Sequence, residues 1–273
     1  MPATQLLCPL DGQPLSKDGA QLRCTQGHSF DYARQGYVNL LPVQHKRSKA
    51  PGDSKEMVAA RKRFLDSGAF SPISETLNAL IDTSHPRRET PATIVDAACG
   101  NGYYLDQYIS QRQSDDNCYG IDISKWAILA AAKRNKQIAW IVASNRQFPF
   151  EHQSIDILLS LFGFPNYDHF HQKLSTHGHL IVAHAGQNHL IELRQLLYPE
   201  LKPVKKTELP RQFTLNEFQT TQTTTTLNAQ QIADLLIMTP HGHRAPRERL
   251  EKAQALAHLE ISLDVQFSWL RPL

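Results

Sequence analysis

Apolar residues between positions 93 and 185 occur in short, nearly continuous runs, separated by longer stretches in which they recur every three or four positions. The short runs predict buried strands and the periodic stretches predict amphipathic helices. We predict strands at 94–97, 118–121, 138–142, 155–160 and 179–183, and helices at 103–112, 124–135 and 187–198. Because buried strands alternate with helices, the fold class is α/β, with a Rossmann-like parallel sheet covered on both faces.

The pattern differs on either side of this region. Further helices are predicted at 53–65, 73–81, 229–238 and 247–258. Strict alternation of apolar and polar residues over 261–269 predicts a last, antiparallel strand. The Thr-rich run 220–226 predicts an exposed or edge strand, and the apolar stretch 37–42 a connector.

The first 36 residues predict a separate small module. They are rich in glycine and proline turns and poor in apolar residues, so a metal or a docked neighbour should stabilise them. We therefore divide the chain into a module at 1–36, a basic linker with helices at 37–88, and a large domain at 89–273.

Within that module, two short pairs of metal-ligand residues are separated by a loop. Cys8 and Asp11 form the first pair, and Cys24 and His28 the second. This layout is typical of a structural zinc site, which needs four ligands in a tetrahedron. The alternative is that both cysteines are buried thiols and that the histidine is an ordinary surface or core residue.

A glycine-rich turn follows the first strand of the large domain. Asp96 lies in that strand, and Gly100, Asn101 and Gly102 lie in the turn that leads into a helix. Glycine lets the backbone approach a ligand closely. The spacing D-x-x-x-G-x-G differs from the G-x-G-x-x-G of nicotinamide enzymes and indicates S-adenosylmethionine (SAM).

A second acid, Asp122, ends the next strand, at the position where an acid binds both hydroxyls of a ribose. In this interpretation Asp96 orients the methionine amino group, the glycine turn approaches the methionine end, and Ser144 flanks the adenine. The alternative is a tight strand–helix turn without a ligand and an acid that only caps a helix.

Positive charge is concentrated in residues 34–63, which hold eight Lys and Arg against two acids, while the whole chain has a formal net charge of only +3. Such a segment favours contact with a polyanion such as RNA, although most charge runs are solvated surfaces. The candidate RNA-binding residues are Lys46, Arg47, Lys49, Arg61, Lys62 and Arg63. His189, after the fifth strand, is a candidate ligand contact or an ordinary polar residue at a helix start.

Taken together, these motifs resemble the bacterial 23S rRNA (guanine-N1) methyltransferases of the RlmA type. The resemblance rests on Cys24-x-x-x-His28-x-Phe-Asp, on the run Gly36–Ser48, on Cys99-Gly-x-Gly-Tyr-Tyr104, on Asp122-Ile-Ser-Lys125 and on Met238-Thr-Pro240. It departs from the family at Asp11, where a cysteine is usual, and at Ala98 and Asn101, where the family usually has glycine and glutamate.

The resemblance implies a zinc-binding module that helps to recognise RNA, a SAM-binding domain, a homodimer, and methylation of a guanine N1 in a hairpin of 23S rRNA domain II. It also implies cofactor contacts from Phe70, the glycine turn and His189. No catalytic residue is identified. The alternatives are a SAM enzyme for a small molecule and an RNA-binding homologue that has lost catalysis.

Four scattered cysteines do not predict a disulfide framework. No apolar run has the length of a membrane span, and the N-terminus lacks a signal pattern. We therefore expect a cytoplasmic protein without membrane partners.

Overall fold

The computed structural model of the protein describes residues 6–46, 48–84, 90–112, 115–203 and 208–273. Its strands are β1 (Ser16–Asp18), β2 (Gln21–Arg23), β3 (Ser29–Asp31), β4 (Tyr37–Asn39), β5 (Thr93–Ala97), β6 (Asn117–Asp122), β7 (Ala139–Val142), β8 (Ile155–Leu161), β9 (Leu174–Ala185), β10 (Phe213–Asn228) and β11 (His258–Pro272). Its α-helices are α1 (Lys55–Asp66), α2 (Ser71–Ser84), α3 (Tyr103–Arg112), α4 (Lys125–Arg134), α5 (Tyr167–Lys173), α6 (Ile191–Leu197), α7 (Ala229–Met238), α8 (His241–Arg244) and α9 (Arg247–Gln254).

The main sheet has eight strands in the order β10-β11-β9-β8-β5-β6-β7-β4. The six strands from β9 to β4 are parallel, and β11 and β10 are antiparallel to their neighbours. The predicted α/β fold with an antiparallel last strand is therefore confirmed. The Thr-rich run lies in β10 at the edge of the sheet, as predicted, but β10 is one continuous strand that pairs with β11 along its length.

Two predictions about local structure are wrong. The stretch 37–42 contributes a strand rather than only a connector, because Tyr37 and Val38 are buried and β4 pairs with β7 about a hundred positions away. The helix predicted over 247–258 ends at Gln254, since His258 already belongs to β11. The short strands β1–β3 and the helices α5 and α8 were not predicted.

Both faces of the sheet are covered, as near-continuous apolar strands require. On one face, Phe64, Leu77, Ile128 and Leu235 pack with the alternate strand residues Ile94 and Trp140. The opposite face carries a second core that includes Tyr119, Phe150 and Phe170.

The small N-terminal module shares this second core. Leu15 and Leu22 are fully buried in it, and Leu6 forms an isolated β-bridge with Phe150. The Leu7 amide also donates to the Pro149 carbonyl at 2.9 Å. The module is therefore stabilised by a docked neighbour, which supplies the apolar contacts that it cannot make alone. Among the described residues, no helix combines the length and apolarity needed to cross a membrane.

Candidate functional site

The carboxyl ends of β5 and β6 lie side by side and bring the two acids to one edge of the sheet. Asp122 holds the glycine turn in place: its Oδ2 accepts from the Gly100 amide at 2.9 Å and its Oδ1 from the Ser124 amide at 2.7 Å. Burial raises the pKa of Asp122, and these two hydrogen bonds oppose the rise. Ser124 is the residue that caps α4, by accepting from the Ala127 amide, so Asp122 is not a helix cap.

Asp96 differs from Asp122 in having no partner. Its side chain is only 1% exposed, and neither carboxylate oxygen has a hydrogen bond. Burial, together with the nearby Asp122, raises the pKa of Asp96 to about 8. Since buried polar groups are normally satisfied, an unpaired buried carboxylate at a strand end fits a cationic ligand group, such as the amino group of SAM.

The two glycines of the turn lie against two different side chains, Trp140 and Arg61. A Cβ on Gly102 would overlap the indole ring of Trp140, and Gly102 has a φ of +75°. A Cβ on Gly100 would instead lie 3.4 Å from Nη1 of Arg61. Gly102 therefore serves packing against the sheet, while the surface above Gly100 faces an arginine of α1. In the same turn Asn101 is buried, and its amide nitrogen has no partner.

A cleft of about 790 Å³ opens beside Asp122 at this edge of the sheet. Asp122 and Ser144, the residues predicted to contact the ribose and the adenine, both line it. The segment after β8, residues 163–168, also lines it, together with Pro210 and Gln212. The cleft is thus wide enough for a nucleoside and for a second group beside it.

Three aromatic rings lie together near the carboxyl end of β8. The ring of His189 lies 5.9 Å from that of Phe70 and stacks on that of Phe162 at 6.0 Å. Burial lowers the pKa of His189 to about 4, so the ring is neutral at pH 7. The Asp264 amide hydrogen-bonds to Nδ1 at 3.3 Å, which leaves the ring proton on Nε2. The structure therefore brings Phe70 and His189 together, and their contact with the cofactor stays a prediction.

The region after β8 was a candidate by its position alone, and the sequence assigned no role to two aromatic residues in it. Phe162 has a φ of +56°, which is unusual for a bulky residue, and stacks on His189. Phe164 lines the cleft with 95% of its surface exposed. The available signal was the aromatic pair in Phe162-Gly-Phe-Pro-Asn166, directly after a buried strand, where parallel sheets bind ligands.

The predicted RNA-binding residues fall into two groups. Lys49 is exposed and Lys46 is half-buried, whereas Arg47 lies outside the described residues. The three basic residues of α1 each contact an acid: Arg61 pairs with Asp53, Lys62 with Asp66 at 2.5 Å, and Arg63 with Asp234 at 2.5 Å. Their positive charge is therefore largely compensated within the protein.

The four predicted metal ligands meet at one point of the N-terminal module. One ligand atom from each of Cys8, Asp11, Cys24 and His28 lies within 4.8 Å of all the others. Nδ1 of His28 is 3.6 Å and 3.5 Å from the two sulfurs and 2.9 Å from Oδ2 of Asp11. Two thiols, an imidazole and a carboxylate at this spacing fit a tetrahedral zinc ion.

The chemistry of the two kinds of ligand differs before metal binding. Burial raises the pKa of Cys8 to about 11, so this thiol must lose its proton when a metal binds. The pKa of Asp11 lies well below its usual range, chiefly because its carboxylate accepts from the Gln13 amide. Asp11 is therefore already an anion in the metal-free site.

Comparison with known proteins gives two family matches within the chain. A family model described as "RlmA, N-terminal", a zinc ribbon, matches residues 6–49, and one described as "Methyltransferase domain" matches residues 94–177. The plantazolicin methyltransferase BpumL, solved with S-adenosylhomocysteine, is 16% identical, covers 80% of this chain and 95% of its own, and has a TM-score of 0.45.

Two relatives match nearly the whole chain. YxjB of Bacillus subtilis, whose name assigns it provisionally as a 23S rRNA (guanine-N1)-methyltransferase, is 35% identical over 94% of each chain. The 23S rRNA (guanine(748)-N1)-methyltransferase of Streptomyces fradiae is 30% identical over 98% of this chain and 97% of its own. By its identity to these relatives and its two family matches, the chain belongs to the family of SAM-dependent 23S rRNA (guanine-N1)-methyltransferases with an N-terminal zinc ribbon.

Proposed function

We propose that this protein transfers the methyl group of SAM to N1 of a guanine in a hairpin of 23S rRNA domain II. The observation that carries this proposal is the unpaired, buried carboxylate of Asp96 beside a cleft lined by Asp122, Ser144 and Phe164. Asp96 offers an anion to an amino group, and Phe164 offers an aromatic face to a base.

The cofactor end of the site binds by complementary charge and hydrogen bonding. Asp96 would receive the amino group, Asp122 the ribose hydroxyls, and Ala143 and Ser144 the adenine. Bound SAM supplies an electrophilic methyl group on a sulfonium that is already a good leaving group. The protein contributes chiefly by holding the acceptor nitrogen in line with that methyl group.

The substrate end of the cleft suits a guanine taken out of its stack. Phe164 offers an exposed ring on which a flipped base can stack, and such stacking tolerates many bases. Asn166 holds this segment in place, because its Nδ2 donates to the Asn145 carbonyl at 2.9 Å and its Oδ1 caps α5. Asn166 is therefore a positioning residue, and its own carbonyl already accepts from the Phe170 amide. The carbonyls of 163–165 would accept a hydrogen bond from the guanine N1–H, and the proton would pass to solvent when the methyl group is transferred.

The zinc ribbon and the linker would bind the rRNA around that guanine. Zinc on Cys8, Asp11, Cys24 and His28 would fix the loops of the module, and Lys46 and Lys49 would contact phosphates. We also propose the division into 1–36, 37–88 and 89–273, a homodimer, and a cytoplasmic location without membrane partners, which fits an enzyme of ribosomal RNA.

The proposal is tested by mapping methylated guanines in 23S rRNA from a strain that lacks the gene. We expect one N1-methylguanine to disappear on deletion and to return with the wild-type gene. The Asp96→Asn variant should not restore it. An unchanged guanine methylation pattern in the deletion strain contradicts the proposal.

A further inference from the structure

Arg61 of α1 lies directly over the glycine turn. Its Nη1 and Cδ are 3.4 Å and 3.7 Å from the position that a Cβ on Gly100 would take. Three-quarters of its side chain is buried, which is unusual for a residue of a basic surface segment. Arg61 is thus part of the wall of the site rather than of the outer RNA-facing surface.

The guanidinium is fixed in this position from two sides. It pairs with Asp53, and its Nη2 donates to the Met238 carbonyl at 2.9 Å. The Asp53 backbone is itself anchored, since its carbonyl accepts from the Ser124 hydroxyl at 2.7 Å. A planar guanidinium has more N–H donors than these contacts use, so it can donate to a further anion without breaking them.

The charges around the turn leave a place for one anion. Asp96, Asp122 and Asp53 contribute three carboxylates, which would repel the carboxylate of an amino acid. The second arginine near the turn, Arg134, donates to the Asn101 carbonyl but is engaged by Asp66 and Asp106 and is 11% exposed. Arg61 also pairs with an acid, Asp53, but its Nη1 lies over Gly100 and its guanidinium keeps N–H groups for a further anion.

We propose that Arg61 binds the α-carboxylate of SAM, opposite Asp96, which receives the α-amino group. This inference rests on the proposed function for the identity of the cofactor. Arg61 would then bind the negative charge of the amino-acid end of SAM, and Asp96 its positive charge. Asp53 is a positioning residue that aims the guanidinium at the turn. An arginine predicted for RNA thus becomes a cofactor ligand.

The test compares two ligands that differ in one group. Binding of SAM and of decarboxylated SAM to the purified full-length protein is measured by calorimetry. We expect the wild type to prefer SAM and Arg61→Met to lose that preference, with SAM binding weakened about 10- to 100-fold and binding of the decarboxylated ligand nearly unchanged.

Controls separate a ligand contact from a structural role. Lys55→Met removes one positive charge from the same helix, at a residue whose contact is with the ring of Trp126, and should keep the wild-type preference. If Arg61→Met weakens both ligands equally, or keeps the preference for SAM, the inference is overturned. The measurement needs no RNA, so a failure to methylate 23S rRNA would contradict only the proposed function.

Discussion

The indole ring of Trp140 occupies the space beside Gly102 in which any other residue would place its Cβ. The second glycine of the turn is therefore required by the packing of α3 and α4 on the sheet. We expect Gly102→Ala to lower the free energy of unfolding by about 2–4 kcal/mol, from overpacking and from a φ of +75°.

Gly68→Ala is the matched control, measured by denaturant unfolding alongside Gly102→Ala. Gly68 has a φ of +81°, but no atom lies within 4 Å of the position that a Cβ would take. Gly68→Ala should therefore lose only the part of the unfolding free energy that comes from the unfavourable backbone dihedral. Equal losses in the two variants would show that the contact with Trp140 carries no cost.

Ala98 has a φ of +71°, a backbone conformation that favours glycine. We expect Ala98→Gly to raise the free energy of unfolding by about 1 kcal/mol, because it removes this strain. Ala97→Gly, one residue earlier in β5, should destabilise the protein instead. Thermal unfolding of both variants checks the prediction, and a destabilised Ala98→Gly would refute it.

The raised pKa of Asp96 predicts opposite effects of pH on folding and on ligand binding. Because the pKa is about 8 in the folded protein and near 4 when unfolded, ionisation disfavours the cofactor-free fold as pH rises from 4 to 8. Asp96→Asn should therefore stabilise the ligand-free protein at pH 8. Denaturant unfolding at pH 5 and pH 8 measures this difference.

Ligand binding should show the reverse dependence. The cationic amino group of S-adenosylhomocysteine favours the ionised form of Asp96, so its affinity should increase between pH 6 and pH 8. Methylthioadenosine, which lacks the amino acid, should show little change. If the affinity of Asp96→Asn for S-adenosylhomocysteine still increases between pH 6 and pH 8, a group other than Asp96 is responsible for the pH dependence.

Phe164 is predicted to affect the substrate without affecting the fold. Because its side chain is 95% exposed, Phe164→Ala should leave the melting temperature unchanged. Loss of stacking should lower kcat/KM for 23S rRNA about tenfold to a hundredfold, while Phe164→Trp retains activity. Leu215→Ala, which removes another exposed apolar side chain outside the cleft, should behave as wild type. Full activity of Phe164→Ala would exclude the stacking role.

Asp11 is predicted to make the zinc site more labile than one with a third cysteine. Asp11→Cys should slow the transfer of zinc to a chromogenic chelator, and Asp11→Asn should accelerate it, because the neutral amide is the weaker ligand. Asp18→Asn, an exposed acid of β1, should release zinc at the wild-type rate. Identical rates for Asp11→Asn and wild type would remove Asp11 from the ligand set.

Most strands and helices of the large domain, but not the short helices α5 and α8, could be predicted from sequence because each carries its own periodicity. Ser54 and Ser124 cap α1 and α4, close to the predicted helix starts, and α7 has the predicted bounds. β4 could not be found in this way, because a strand of three residues is too short to show a periodic pattern of apolar residues and its partner β7 is distant in sequence. The four metal ligands were found because their spacing is local.

The roles of the basic residues could not be predicted, because charge in a sequence does not show its partner. Arg63 reads as a solvent-facing cation, yet it contacts Asp234, whose side chain is 2% exposed and which lies 171 positions away. The role of Phe164 could not be predicted either, because a sequence does not show how exposed a side chain is. Its exposure, and not its residue type, distinguishes it from the buried aromatic residues of the chain.

The bridge between Leu6 and Phe150 has a consequence for chimeric enzymes. The zinc ribbon and the main sheet share one apolar core, so residues 1–36 cannot be replaced by another ribbon without disturbing that core. A graft intended to redirect the enzyme to another RNA must carry the 147–150 segment with it. Evolution of a new target site is under the same constraint, since the two surfaces must change together.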